Sequence, residues 1–291
     1  MPGYADLHVH TTASDGTKTP AQVVELALAA GLAALGIADH DTIEGVGAAQ
    51  ARADGTGLEI VPAVEINSEW RERDVHILGY WIDTNHDELN AALSHLRSSR
   101  DRRVGRMIRR LREFNFPLDE ARVREIAGTG AIGRPHIARA MVERGYVRSV
   151  REAFDRYLAP GMPGYVPRER IEPSETVDLI KRAGGVAVLA HPGALRSDAL
   201  LERLLELDFD GLEVYHPSHD SPTVARYLSL CTERGLLVTG GSDFHGGTGG
   251  EEEAMLGTVT VDVVRVAALR GAACRRKEGL IREEEAHEGS G

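Results

Sequence analysis

The chain is short of several things, and each shortage excludes a class of protein. Only two cysteines, Cys231 and Cys274, occur in 291 residues, and neither sits in a CxxC pair. A disulfide framework and a thiolate metal site are therefore excluded as organising features. No apolar run approaches the roughly 18–20 residues that cross a bilayer. The opening MPGYADLHVH lacks the basic start and apolar stretch of a secretory leader. A cytoplasmic protein without membrane association is expected, and no obligate protein partner is evident. Aromatics make up 5% of the chain, and Phe114, Phe116 and Tyr146 read as core rather than as a platform for stacking bases. Lysine is scarce as well, three against 31 arginines, so an arginine at any one position says little by itself.

What is present is unevenly charged. The net charge is −11, yet residues 86–170 hold 18 arginines against 11 acidic residues. An acidic body with a basic appendage suits an anionic substrate rather than a general nucleic-acid coat. The bland alternative is an Arg-rich helical surface, RSSRDRRVGRMIRRLR, with no ligand.

Seven short, near-continuously apolar runs read as strands covered on both sides: 5–10, 33–39, 58–67, 75–82, 185–191, 210–216 and 235–243. Helices with readable ends lie between them. In TPAQVVELALAAG, Thr19 is the N-cap, Pro20 opens the first turn and Gly31 is the stop. Such alternation predicts a parallel α/β barrel. From 86 to 167 the strands stop and helical periodicity takes over, closing in the Pro- and Gly-rich LAPGMPGYVPRERIEP. The expected organisation is a barrel from 1–85 and 168–280, a helical insertion or lid at 86–167, and an acidic disordered tail at 281–291.

Nearly every expected strand ends in an imidazole or a carboxylate. His8 and His10 close the first, Asp39 and His40 the second, Glu65 the third, and His76 opens the fourth. His191 closes the fifth, Glu213 and His216 the sixth, and Asp243 with His245 the seventh. In a parallel barrel those ends share the face where sites are built. On a strand His8 and His10 point to one side, about 6–7 Å apart, and can converge on one ion, while Asp6 lies a layer deeper in a supporting place. Imidazole and carboxylate without thiolate suit Mn, Fe, Zn or Co, and the set is nitrogen-rich for Mg or Ca. Nine candidate ligands exceed the about four to six that one ion takes, so two or three divalent ions are expected. Glu65, mid-series, is the natural bridging carboxylate.

The motifs DLHVHTTASDGT, GIADHDT, PAVEIN, AHPG and GSDFH resemble the polymerase-and-histidinol-phosphatase (PHP) superfamily of metal-dependent phosphoesterases. The resemblance spans essentially the whole chain, and GRPHIA within the insertion is similar to the stand-alone bacterial nucleotide phosphatases of that superfamily. It implies a distorted (β/α)7 TIM-like barrel with a helical insertion, and three metal sites. His8, His10, Glu65 and Asp243 would hold the first ion; Glu65, His76 and His191 the second; Asp15, His40 and His245 the third. It also implies a small phosphorylated nucleotide or short oligonucleotide as substrate. Asp15, His191 and His219 are the candidate catalytic residues.

Phosphomonoester hydrolysis by metal-activated hydroxide is thus the expected activity, two ions about 3.5–4 Å apart clamping the phosphoryl oxygens. Arg134 and His136 sit where a helix should begin, a place that favours an anion. They are candidate contacts to a second, non-reacting phosphate. His219 is a candidate general acid or phosphate contact, Arg168 a candidate substrate contact, and His216 is read as structural. Histidinol phosphate is the alternative substrate, disfavoured by the basic insertion. A urease-like amidohydrolase would want a lysine at a strand end, and Lys18, Lys181 and Lys277 are not so placed. A non-catalytic module would be expected to have lost ligands, and all nine are present.

Overall fold

The computed structural model describes residues 3–71, 73–128, 132–167, 171–246 and 255–288. They form two compact units, Met1–Ala91 with Ile171–Gly291, and Ala92–Arg170.

The first unit is built on eight strands: β1 (Tyr4–Val9), β2 (Ala34–Ile37), β3 (Glu59–Trp70), β4 (Arg73–Tyr80), β5 (Val186–Leu189), β6 (Gly211–Tyr215), β7 (Leu237–Gly240) and β8 (Val261–Asp262). Their order in the sheet is β7-β6-β5-β4-β3-β2-β1-β8. The sheet curls nearly into a barrel, because Val9 bridges Phe244 in parallel fashion just past β7. The His10 N–H donates to the Phe244 carbonyl at 2.9 Å, so the closure falls beside the histidine pair. Ten α-helices occur among the described residues of the two units: α1 (Pro20–Ala29), α2 (Glu44–Ala53), α3 (Asp87–Glu113), α4 (Glu120–Ala127), α5 (Arg134–Glu143), α6 (Val150–Ala153), α7 (Pro173–Arg182), α8 (Asp198–Leu204), α9 (Ser221–Arg234) and α10 (Val263–Glu288), of which α4, α5 and α6 lie in the second unit. Helix α1 carries a capping box between Thr19 and Gln22, which satisfies backbone donors left open at a helix start. Its buried face, Val23, Val24 and Ala27, packs with Val9, Leu35 and Ile37. On the other side Ala5, Leu7, Val61, Leu78, Tyr80 and Val188 pack with Leu269 and Ala273 of α10. Apolar side chains on both faces explain why these strands read as continuous apolar runs.

The barrel departs from the parallel expectation at β4. Only two residues separate Trp70 from Arg73, too few for a crossover, which needs about a dozen or more. Strand β4 therefore folds back on β3 and then pairs antiparallel with β5 as well. The hairpin places His76 opposite Asn67, two residues beyond Glu65. The short eighth strand, antiparallel to β1, was not expected.

The second unit has its own apolar core, which includes Val104, Met107, Leu111, Ile137, Met141 and Leu158. Phe116 packs there, 5.5 Å from the Tyr146 ring and 4.7 Å from the Tyr157 ring. Phe114, expected in the core, is 46% exposed, because it follows the last turn of α3. The expected boundary at 86 gives way to one at 92. The start of α3 belongs with the barrel unit, where Glu88 pairs with Arg182 at 2.7 Å. The tail expected to be disordered from 281 is helical to Glu288, as the end of α10. A run of Glu, Arg and Ala has high helix propensity, and Arg282 lies 3.8 Å from Glu278 one turn back. Among the described residues, no helix is long and apolar enough to cross a membrane.

Candidate active site

His8 and His10 are fully buried, with ring centroids 5.1 Å apart. Glu213 Oε1 accepts the Nδ1–H of His8 at 2.9 Å. That contact turns the other ring nitrogen, Nε2, toward Glu65 Oε2 at 3.3 Å and Asp243 Oδ1 at 3.4 Å. His10 Nε2 lies 3.1 Å from the same Asp243 oxygen and 3.3 Å from the same Glu65 oxygen.

Glu65 is 1% exposed and sits among five imidazoles. Its Oε1 is 2.8 Å from His76 Nδ1 and 3.0 Å from His191 Nε2. Its Oε2 faces His40 Nδ1 at 2.9 Å in addition to His8 and His10. Burial alone would raise the Glu65 carboxyl, but His40, His76 and His8 outweigh it and hold the group well below the carboxylate range. Asp15 lies 3.3 Å from His245 Nε2 and 3.8 Å from both His10 and His40.

The ligand-type atoms gather in three overlapping groups: His8, His10 and Asp243; His40, Glu65 and His76; and His10, Asp15, His40 and His245. Eight of the nine expected ligands fall in them. The ninth, His191, touches Glu65. The grouping differs from the implied partition in that His40 also stands with Glu65 and His76, and His10 with Asp15.

A divalent cation fits this donor set. Among the buried side-chain atoms without a hydrogen-bond partner are His8 Nε2, His10 Nδ1, His10 Nε2 and Glu65 Oε2, all inside the cluster. A buried polar atom left unsatisfied costs about 1–3 kcal/mol, so four together need a common explanation. With Nδ1–H committed to Glu213, a neutral His8 aims its Nε2 lone pair at two carboxylate oxygens. Only a proton or a metal ion placed between them removes that repulsion.

The strands and loops behind the site hold these groups rigidly. Buried Asp6 accepts from Ser242 N at 2.9 Å, Ser242 Oγ at 2.6 Å and Gly257 N at 2.9 Å, fixing the chain next to Asp243. Burial pushes its carboxyl up to about 6 despite those hydrogen bonds. Asp39 accepts from Thr11 N and Oγ1, both at 2.7 Å, and from Ser14 Oγ at 2.6 Å, tying down the loop that carries Asp15. His191 and Asp243 have φ of 25° and 52°, backbone strain that the surrounding contacts must maintain. Gly241 is required because a Cβ there would collide with the His8 backbone.

The family model for the PHP domain matches residues 6–159, more than half of the chain. The chain belongs to the PHP domain family. It is similar to the 3′,5′-nucleoside bisphosphate phosphatase of Chromobacterium violaceum, 36% identical over 262 residues, covering 85% of this chain and 89% of that protein. It is 34% identical over 247 residues to the 5′-3′ exoribonuclease Rnm of Escherichia coli, covering 82% and 84%. Among solved structures, a candidate metal-dependent phosphoesterase from Bifidobacterium adolescentis matches with a TM-score of 0.81 and 34% identity. That match covers 92% of this chain and 96% of the other.

Around this PHP cluster several sequence expectations need correction. His219 was expected to act as a general acid or phosphate contact. Its Nδ1 donates to the Val214 carbonyl at 2.9 Å and its Nε2 accepts from Gly193 N at 3.1 Å. Both nitrogens are committed to backbone, and burial, with His216 nearby, lowers the ring's pKa. The ring braces the turn after His191. His136 is also turned inward, 5% exposed, its Nδ1 accepting from Gly133 N at 3.0 Å at the start of α5. The neighbouring Arg134 guanidinium lies 5.6 Å from the Phe154 ring centre and 6.0 Å from that of Tyr165. Arg168 lies outside the described residues.

Two residues of the cluster were missed as functional. Glu213, which orients His8, also accepts from His191 N at 2.7 Å, and it is fully buried. A carboxylate inside the apolar run GLEVY was the available signal, since buried charges demand partners. His216, read as structural, points Nε2 at Asp243 Oδ2, 3.3 Å away.

Proposed function

We propose that this PHP protein hydrolyses a phosphomonoester of a small nucleotide, foremost the 3′-phosphate of a nucleoside 3′,5′-bisphosphate. The observation that carries the reading is the buried Glu65 surrounded by five imidazoles, joined to Asp15, Asp243 and His245. The activity named for the Chromobacterium violaceum relative supports the substrate class.

His8, His10, Asp15, His40, Glu65, His76, His191, Asp243 and His245 would hold two or three divalent ions, Mn, Fe or Zn before Mg. Bound there, the ions supply the Lewis acidity that activates water and neutralises phosphoryl charge. The chain's own residues supply placement. Glu65 ties the histidines into one array, with His191 beside Glu65 itself and Asp15 beside His245. In the reaction a water oxygen bonds to phosphorus and the ester P–O bond breaks. The departing ribose oxygen takes a proton, and inorganic phosphate leaves.

A second reading, removal of nucleotides from the 5′ ends of short RNA, is favoured by the exoribonuclease relative and by the arginine excess between 86 and 170. Phosphate release with Mn2+ on adenosine 3′,5′-bisphosphate, AMP, histidinol phosphate and a 5′-phosphorylated trinucleotide separates the readings. The bisphosphate is expected to give the highest kcat/KM. Preference for histidinol phosphate would refute the nucleotide assignment.

A further inference from the structure

The arginine-rich run in α3 divides by what its side chains touch. Arg103 Nε donates to the Val166 carbonyl at 2.6 Å, and its guanidinium lies 5.4 Å from the Tyr165 ring centre. Arg110 Nη1 donates to the Tyr165 carbonyl at 3.1 Å. These two arginines serve the packing of the second unit. Arg102, Arg106 and Arg109 are exposed instead, and line a cavity of about 420 Å3 whose walls come from α3 and α4 of that unit. Spaced i, i+4 and i+7, they share one face of the helix over about 10 Å.

The cavity is cationic, and its acidic residues are already engaged. Asp101 and Glu120 both face Arg124, at 3.3 and 2.9 Å, an ion-pair cluster that ties α4 to α3. Four arginines against two carboxylates leave two positive charges in excess. Among the described residues, no ion pair or side-chain hydrogen bond engages Arg106 or Arg109. Gly105 completes the wall. Glycine is a poor helix former, and a Cβ there would meet Glu120 and Arg109 at 3.5 and 3.6 Å, ordinary contacts that packing accepts. Its bare backbone therefore serves to keep the cavity open.

We infer that this cavity binds the sugar-phosphate backbone of single-stranded RNA, through residues that have no member in common with the metal-ligand cluster. The inference rests on the second reading above, hydrolysis of short RNA. Guanidinium forks match phosphate oxygens, and the row from Arg102 to Arg109 is long enough to meet two adjacent phosphates. The wall consists of charged side chains and Gly105, so no base stacks there. Such a site reads charge and spacing and is indifferent to sequence. A protein partner would bring apolar side chains along with its acids, and this wall has nowhere to bury them. A nucleic-acid strand carries a charge at every repeat.

The test measures binding of a fluorescent, phosphorothioate-linked RNA to the metal-loaded full chain over a salt series. A length of about 12 nucleotides suits the site sizes of single-strand binders. Arg106→Glu and Arg109→Glu are each expected to weaken binding about 10–100-fold, the loss typical of a charge-assisted contact. Each should also lower the salt slope by about 1. Arg106→Lys should retain most of the affinity, because an ammonium still meets a phosphate as a point charge. Arg151→Glu makes the same charge change at a residue 92% exposed, and should alter binding by less than about twofold. Both cavity arginines are exposed, so an unchanged Tm is expected to show that the variants fold.

A loss at Arg151 equal to those at Arg106 and Arg109 would reveal diffuse attraction in place of a site and overturn the inference. So would a parent protein that binds no RNA. Inorganic tripolyphosphate and polyglutamate serve as competitors. Displacement by either at a lower concentration of charge than by unlabelled RNA would give the cavity to another anion and overturn the inference as well. Hydrolysis of the unmodified RNA is followed separately. Binding that falls at Arg106 and Arg109, with no hydrolysis by the parent, refutes the second reading and leaves the cavity standing. Hydrolysis by the parent, with variants that bind as it does, refutes the cavity and leaves the reading standing.

Discussion

His216 holds Asp243 by its outer oxygen: Nε2 of the imidazole lies 3.3 Å from Oδ2. Asp243 Oδ1 is meanwhile 3.1 Å from His10 Nε2, inside the cluster. The tautomer follows from the far side of the ring, where Ser218 N donates to His216 Nδ1 at 3.1 Å. Nδ1 must then accept, so Nε2 carries the proton and donates it to Asp243. The arrangement keeps one carboxylate oxygen aimed into the cluster, where it would be available to a bound ion. His216→Ala is expected to weaken metal binding about 10–100-fold, as losses of ligand-orienting hydrogen bonds do. Competition against a chromophoric chelator measures it, and unchanged affinity would show that Asp243 is held without His216.

Glu213 performs the matching task for His8 and for the His191 backbone. Glu213→Gln keeps the shape and removes the charge, leaving a fully buried ring and a backbone N–H competing for one carbonyl oxygen. A loss of about 1–3 kcal/mol in the metal-stripped protein is expected from urea unfolding. Metal affinity should fall alongside it. A variant as stable and as tightly metallated as the parent contradicts this role.

Metal loading should release protons. Burial lowers His10, but the adjacent Asp243 and Glu65 outweigh it and raise the ring from 6.5 to about 10. In stripped protein these pairs therefore stabilise the fold fully below about pH 6.5, and the contribution disappears as pH rises through about 10. A metal ligand must be neutral imidazole, so binding at pH 7.5 expels the His10 proton and affinity rises with pH. Calorimetric titration in buffers of different ionisation enthalpy reads that release directly. Heats independent of buffer would show that His10 is already neutral.

His219→Gln separates bracing from acid catalysis. A structural ring predicts a lower Tm and an unchanged shape of the kcat–pH profile, because no titrating group of the reaction has been removed. Disappearance of one limb of that profile would establish a general-acid role for His219.

Much of the site was legible because its groups fall at strand ends. His8 and His10 share a strand face by simple alternation, and the recurrence of histidine or acid at the other ends identified the cluster. The direction of β4 was not legible from its apolar pattern, which is the same in either direction. The seven residues between the expected strands 58–67 and 75–82, too few for a crossover, carried that information. Glu213 and His216 are three apart and cannot share a face on a regular strand. Glu213 lies within β6, whereas His216 follows its last residue, Tyr215, so strand alternation does not govern where it points. His219 misled because its partners, Val214 O and Gly193 N, are backbone atoms. Side-chain identity gives no hint of such contacts.

The metal centre itself is tested most directly by chelator stripping followed by stepwise return of Mn2+, with bound metal and phosphate release from adenosine 3′,5′-bisphosphate measured on the same samples. Activity should vanish with the metal and return as two or three ions bind per chain. Full activity in protein shown to hold no metal would contradict the assignment of these nine residues.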